Sequence, residues 1–134
     1  MLSALIVEDD AAVAQMLSAL VELDGRYRVT AVADDLAGAM RAAAEQRIDL
    51  ALVDIALARE SSGYGVACEL NRRDICCIFV TGGAPPFAMP EFALGCIEKP
   101  CTLEAVHAAL EAAATRLAGS EPSVAGANAG FMLY

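Results

Sequence analysis

Acidic residues stand directly after two apolar runs in this sequence, and such residues bind cations or accept phosphoryl groups. Glu8 and Asp9 follow the run 2–7, and Asp54 follows the run 50–53. Three carboxylates that lie close together repel one another strongly unless a cation lies between them. Oxygen ligands with room for water suit Mg²⁺. The pattern therefore predicts a magnesium site where Glu8, Asp9 and Asp54 meet.

A hydroxyl and an ammonium group follow two later apolar runs. Thr81 directly follows the run 75–80, and Lys99 comes shortly after the run 94–97. An ammonium suits an anion that joins the metal, and a threonine hydroxyl can donate to an oxygen of that anion. These residues are typical of a site that holds a phosphoryl group, with Asp54 as the nucleophile that forms an aspartyl phosphate. Ala56 would add its backbone carbonyl as a metal ligand.

The elements that position these residues alternate between strand and helix. Apolar runs predict five strands, and apolar residues at helical spacing predict helices after most of them. Such alternation implies an α/β fold, a flavodoxin-like (βα)5 doubly wound parallel sheet with strand order 2-1-3-4-5. Three prolines in 84–93 predict a shortened or irregular fourth helix. We expect a domain over 1–118 and a flexible tail over 119–134, although the apolar end of that tail could also dock.

Composition narrows the class of protein. The 134 residues fit one domain, and the net charge of −9 disfavours nucleic acid as a partner. No apolar run approaches the ~20 residues of a membrane span, and the chain start lacks the basic residues of a signal peptide. The odd number of cysteines, five, suggests a reducing cytoplasm, where buried thiols act as small hydrophobic side chains. We therefore expect a cytoplasmic protein without a membrane or nucleic-acid partner.

Four motifs carry a family resemblance. The segments 7–10 (VEDD), 52–54 (LVD), 80–82 (VTG) and 98–100 (EKP) resemble the receiver domain of bacterial two-component response regulators. The resemblance covers about residues 2–118. It implies that Asp54 is the phosphoacceptor, that Glu8, Asp9 and the Ala56 carbonyl bind Mg²⁺, and that Thr81 and Lys99 contact the phosphoryl group. It also implies a cis peptide bond before Pro100.

The resemblance further implies partners and activity. The phosphodonor would be a sensor histidine kinase or a histidine phosphotransferase, and an unknown protein would receive the signal. The chain would catalyse its own phosphorylation and dephosphorylation without being an enzyme for a separate substrate. We expect a monomer or a weak homodimer; the apolar faces of the first and last helices are mostly core, although together they could also form a dimer surface. In this reading it is a single-domain switch or phosphate sink.

Two departures from the family pattern keep alternatives open. Receivers usually carry Tyr or Phe where this chain has Cys96, and the prolines interrupt the fourth helix. The segment 78–83 is similar to an aromatic-less receiver group with a Phe-Ala-Thr-Gly motif, except that Val80 replaces the alanine. A pseudo-receiver that regulates a partner without phosphorylation is the alternative. A flavin protein or phosphohydrolase ranks last, because strand one ends in acids and Ala56 cannot act as a general acid.

Three further residues have both a functional and a plain interpretation. Asp10 is a third metal ligand or, as we prefer, the N-cap of the first helix. His107 could act as a phosphotransfer histidine, but no partner acid is evident in the sequence, and we expect a packing role. Tyr64 is either a loop aromatic that lines the crevice or a packing residue.

Overall fold

The computed structural model describes residues 1–57, 62–83, 85, 88–123 and 130–134. Strands and helices alternate along most of the chain. The elements are β1 Leu2–Val7, α1 Ala11–Glu22, β2 Tyr27–Ala33, α2 Leu36–Glu45, β3 Leu50–Asp54, α3 Gly63–Asn71, β4 Cys76–Thr81, β5 Gly95–Glu98, α4 Leu103–Leu117 and β6 Phe131–Leu133. None of the helices in the described ranges is long and apolar enough to cross a membrane.

The described strands form one mixed sheet in the order β2-β1-β3-β4-β5-β6. The first five strands are parallel, so the predicted order 2-1-3-4-5 is confirmed. β1 and β3 are neighbours and lie in register from Ala4 opposite Leu50 to Val7 opposite Val53. This register places the residues that follow the two strands side by side at one edge of the sheet.

Helices cover both faces of the sheet because each central strand is apolar on both sides. β3 is buried along its whole length. Helices α1 and α4 pack on one face, and α2 and α3 pack on the other. The adjacent Cys76 and Cys77 belong to these two opposite faces, as expected for successive strand residues.

The connection between β4 and β5 matches the expectation of an irregular fourth helix. The described residues of this connection, 82–83, 85 and 88–94, contain no helix. The Met89 carbonyl accepts hydrogen bonds from the backbone N–H groups of Phe92 and Ala93, at 3.0 and 3.1 Å, and these bonds close a turn. Asn71 donates to the Phe92 carbonyl at 2.6 Å and ties this turn to the end of α3. Residues 84 and 86–87 of the predicted loop lie outside the described residues.

The end of the chain differs from the predicted flexible tail. Phe131–Leu133 form β6, which pairs antiparallel with β5 through Gly95 opposite Leu133 and Ile97 opposite Phe131. The pairing occurs because β5 would otherwise be an open sheet edge, and an apolar segment follows within reach of it. Residues 124–129 of the predicted tail lie outside the described part of the chain.

Candidate functional site

The acidic residues named from the sequence meet at the carboxyl edge of the sheet. Carboxylate oxygens of Glu8, Asp9 and Asp54 all lie within 4.8 Å of one another. Glu8 and Asp54 are almost fully buried, at 3% and 5% exposure, whereas Asp9 is exposed. Burying two carboxylates side by side is costly unless a positive charge lies near them.

Lys99 supplies that positive charge. Its Nζ donates to Glu8 Oε1 at 3.0 Å and lies 3.3 Å from Asp54 Oδ2. It is the only lysine in the sequence. The cis peptide bond between Lys99 and Pro100 was also expected and is present. One ammonium therefore bridges both buried acids.

The site shifts the pKa values of its own charged groups. Burial raises the pKa of Glu8 to about 7, and the neighbouring Asp54 adds to the rise, while the bond from Lys99 opposes it. Burial disfavours the charged form of Lys99, but its bonds to Glu8 and the attraction of Asp54 outweigh burial and raise its pKa. The cluster therefore favours an added positive charge, because its acids exceed the one ammonium.

Both carboxylate oxygens of Asp54 have partners. Oδ1 accepts a hydrogen bond from the Ala56 N–H at 3.1 Å, and Oδ2 faces Lys99. The backbone around Asp54 is held by the bond from the Ile55 N–H to the Val80 carbonyl at 3.2 Å. These contacts fix the direction of the carboxylate at the end of β3. The structure places Ala56 beside Asp54, and its role as a metal ligand stays a prediction.

Gly63 was not singled out from the sequence, yet it packs against the backbone of Asp54. A Cβ at this position would overlap the Asp54 carbonyl oxygen and lie 2.5 Å from the Ile55 Cα. The Gly63 N–H also donates to the Ile55 carbonyl at 2.9 Å. The available signal was a glycine directly after Ser62, the N-cap of α3. Only glycine permits the start of α3 to lie this close to the end of β3.

Thr81 lies at the end of β4 with its side chain turned toward the following loop. Its hydroxyl donates to the Gly83 carbonyl at 3.0 Å and accepts from the Gly83 N–H at 3.2 Å. Its own carbonyl accepts the Lys99 N–H at 2.7 Å. The backbone of Thr81 is thus joined to Lys99, while its hydroxyl is engaged elsewhere.

Asp10 takes the plainer of its two roles, whereas His107 is exposed and lies beside an acid. Asp10 caps α1, since its Oδ1 accepts the N–H groups of Ala12 and Val13. His107 does have an acidic partner, contrary to the sequence-based expectation. Its Nδ1 lies 3.4 Å from Asp24 Oδ2, in the connection that follows α1.

Most of the remaining named side chains pack, but Cys68 is exposed, contrary to the expectation of buried thiols. Tyr64 packs edge-on against Phe79, with the ring centres 5.3 Å apart. The five cysteines are free. These residues therefore add nothing to the acidic cluster.

The residues present fit a magnesium ion. Mg²⁺ binds oxygen ligands at about 2.0–2.1 Å, so opposite ligands of one ion lie about 4.2 Å apart. Neighbouring ligands lie about 3 Å apart, so the carboxylate oxygens of Glu8, Asp9 and Asp54, which lie within 4.8 Å of one another, would have to draw together to share one ion. Carboxylates are the donors that Mg²⁺ prefers, and the exposed Asp9 leaves room for water ligands. The donor type and the excess of negative charge both suit this ion.

Known proteins resemble the chain in sequence and in fold. A search of curated protein sequences found no match. Among solved structures, the signal receiver domain of a modulated diguanylate cyclase from Desulfovibrio desulfuricans G20 is 30% identical, with a TM-score of 0.75 over 87% of this chain and 95% of that one. A CheY-like response regulator receiver domain protein from Methanospirillum hungatei JF-1 is 26% identical, with a TM-score of 0.71 over 89% and 95%.

A solution structure gives the same fold at lower identity. The PhyR response regulator REC domain from Erythrobacter litoralis is 24% identical, with a TM-score of 0.72 over 91% of this chain and 93% of that one. The family model of the response regulator receiver domain matches residues 4–111, which include the whole acidic cluster and Lys99. The chain therefore belongs to the response regulator receiver domain family.

Proposed function

We propose that this receiver domain accepts a phosphoryl group on Asp54 in a magnesium-dependent reaction and acts as a signalling switch or phosphate sink. The donor is a histidine kinase or a histidine phosphotransferase. The observation that carries the proposal is the Lys99 ammonium, which lies 3.0 Å from Glu8 and 3.3 Å from Asp54 among three clustered carboxylates. Such a balance of charges suits a dianionic phosphoryl group that arrives together with a divalent cation.

The reaction begins at the carboxylate of Asp54. One of its oxygens attacks the phosphorus of a phosphohistidine, so that an O–P bond forms while the N–P bond breaks. The electron pair of the N–P bond stays on the departing ring nitrogen, and because the other nitrogen of the phosphohistidine ring carries a proton, the donor leaves as a neutral imidazole. Mg²⁺, when bound, would offset the repulsion between the carboxylate and the phosphoryl oxygens.

Residues of this chain then stabilise the product. Lys99 is placed to release Glu8 and Asp54 and to pair with a phosphoryl oxygen. Thr81 would turn its hydroxyl away from Gly83 to donate to another oxygen. Attack of water on the phosphorus returns Asp54 and inorganic phosphate. The chain thus turns over its own phosphoryl group and is not an enzyme for a separate metabolite.

The proposal extends to location and partners. Five free thiols suit the cytoplasm, and the net charge of −9 disfavours nucleic acid as the downstream partner. A second protein receives the signal, and the chain acts as a monomer or a weak homodimer. Phosphorylation at Asp54 is the step that all of these statements share.

Incubation with acetyl phosphate and Mg²⁺ tests the proposal. We expect intact-mass spectrometry to show the gain of one phosphoryl group in the wild-type chain and in Asp10→Asn, because Asp10 only caps α1. The gain should be absent in Asp54→Asn and without Mg²⁺. An equal gain in Asp54→Asn would disprove the assignment of the acceptor.

A pseudo-receiver without phosphorylation is the second candidate. Cys96, buried at the position where the family usually has an aromatic residue, favours it. Under this alternative, fluoroberyllate with Mg²⁺ would leave the amide NMR signals from Thr81 to Lys99 unchanged. Shifts in those signals would exclude it.

A further inference from the structure

The segment Gly130–Tyr134, named here the strap, pairs closely with the outer edge of β5. The Glu98 N–H donates to the Gly130 carbonyl at 2.8 Å, and the Tyr134 N–H donates to the Leu94 carbonyl at 2.9 Å. A side chain at Gly95 would overlap the Met132 carbonyl and lie 2.7 Å from the Phe131 ring. Backbone bonds at both ends and a glycine at the closest approach make this a specific contact.

The strap docks through side chains on both faces of the sheet. Phe131 is 5% exposed and belongs to the apolar cluster under α1 and α4. Tyr134 packs on the opposite face of the sheet, in the cluster that contains Phe79 and Cys96. Met132, between them, is half exposed. The strap therefore holds both layers of the domain at the edge of β5.

One feature of the strap weakens its docking. The Tyr134 hydroxyl is buried, and the Cys96 thiol is its one hydrogen-bonding neighbour among the described residues. A thiol is a weak hydrogen-bond partner, so it only partly offsets the cost of burying the hydroxyl. With only three residues in strand pairing, the docked strap is a contact that a small change in free energy can release.

Consecutive amides connect the strap to the acidic site. The Lys99 N–H bonds to the Thr81 carbonyl at 2.7 Å, and the preceding N–H, of Glu98, bonds to Gly130. The Lys99 side chain holds Glu8 and Asp54. The first backbone bond of the strap therefore lies one residue from the lysine that holds the two buried acids.

We propose that the strap is an autoinhibitory contact: docked on β5, it stabilises the arrangement in which Lys99 bridges the two buried acids. Filling of the acidic site draws Lys99 away from that arrangement and loosens the strap. This inference rests on the proposed phosphoryl site. By linkage, the factor by which a phosphoryl group or its mimic shifts the strap toward release equals the factor by which release of the strap raises the affinity of the acidic site for that group.

Two substitutions at Tyr134 test the proposal in opposite directions. Tyr134→Ala removes the ring and loosens the strap, so we expect fluoroberyllate with Mg²⁺ to bind about fivefold more tightly, the lower end of typical coupling. Tyr134→Phe keeps the ring and removes the weakly paired hydroxyl, so the strap should dock more firmly and binding should be weaker than in the wild-type chain. Met132→Ala, on the half-exposed position of the same strand, is the control and should bind like the wild type.

Amide NMR and hydrogen exchange on the full chain give separate readouts. The Ala56 amide, bonded to Asp54, reports binding at the acidic site, and the amides of Phe131 to Tyr134 report the strap. Binding should speed hydrogen exchange in the strap. If Ala56 responds but both Tyr134 variants bind like the wild type and the strap does not change, the strap proposal is wrong and the phosphoryl site stands. If Ala56 does not respond in any variant, the proposed function fails, and the strap proposal fails with it.

Discussion

Replacing Lys99 with methionine separates the electrostatics of the acidic site from the rest of the fold. Lys99→Met leaves the carboxylates of Glu8 and Asp54 buried, with side-chain exposures of 1% and 7%, and removes the ammonium that contacts both. Removing one partner of a buried pair typically costs about 3–5 kcal/mol. The Lys99 side chain is 26% exposed, so water offsets part of the loss. Because Glu8 can also take up a proton, we expect the free energy of unfolding to fall by about 2–3 kcal/mol without metal.

Urea denaturation with and without Mg²⁺ measures this effect. Mg²⁺ stabilises any state that binds it, by mass action. In Lys99→Met the cation meets no competing ammonium, so the gain from Mg²⁺ should exceed the gain in the wild-type chain. Arg116→Met removes the same charge from an exposed pair with Glu121 and should cost less than about 1 kcal/mol.

Stabilisation of Lys99→Met by Mg²⁺ that is no larger than that of the wild-type chain would contradict this expectation. That result would mean that the ammonium and the cation do not share the same carboxylates. A loss of stability no larger than that of Arg116→Met would show that the ion pairs with Glu8 and Asp54 contribute little.

Two other predictions follow from the surroundings of the site and from the turn after α1. Gly63→Ala places a methyl group against the Asp54 backbone and should lower the unfolding free energy by about 1–3 kcal/mol. Gly65→Ala is the control and should not lower it, because a Cβ at Gly65 meets open space. Chemical denaturation of both variants measures the difference. The hydrogen bond from Arg26 lowers the pKa of Asp24 in the folded state. The Asp24 carboxylate therefore stabilises the fold at pH values above its unfolded pKa of about 3.9. This stabilisation is lost as the pH falls through the lower pKa of the folded state. Asp24→Asn should therefore be less stable than the wild type at neutral pH, with the difference shrinking below about pH 4 in pH-dependent urea melts; an unchanged difference would contradict the assignment.

The order of the sheet and the clustering of three acidic side chains at its carboxyl edge can be predicted from the sequence, because both depend on local patterns. Apolar runs define β1 and β3, and the rule that parallel strands end at one edge brings Glu8, Asp9 and Asp54 together. The prolines between β4 and β5 correctly indicated the irregular connection. The pairing of Lys99 directly with the two acids could not be predicted, since it depends on side-chain distances across three strands.

The sequence indicated only that the apolar chain end could dock, and neither its strand pairing nor the role of Gly63 could be predicted, for a related reason. Phe131 to Leu133 form a strand only because the edge of β5 is free to pair, which is a tertiary condition that a three-residue apolar segment does not reveal. Gly63 is required by the approach of α3 to Asp54, a distance that no sequence spacing encodes. In both cases the deciding contact joins residues that belong to different elements.

The decisive measurement is to identify the residue that carries the phosphoryl group, because the proposed function requires this residue to be Asp54. Borohydride converts an aspartyl phosphate to homoserine, and peptide mass spectrometry then identifies the residue that was modified. After incubation with acetyl phosphate and Mg²⁺, we predict homoserine at Asp54 and at no other acid. Homoserine at Asp9 or Asp10, or none at Asp54, would contradict the account.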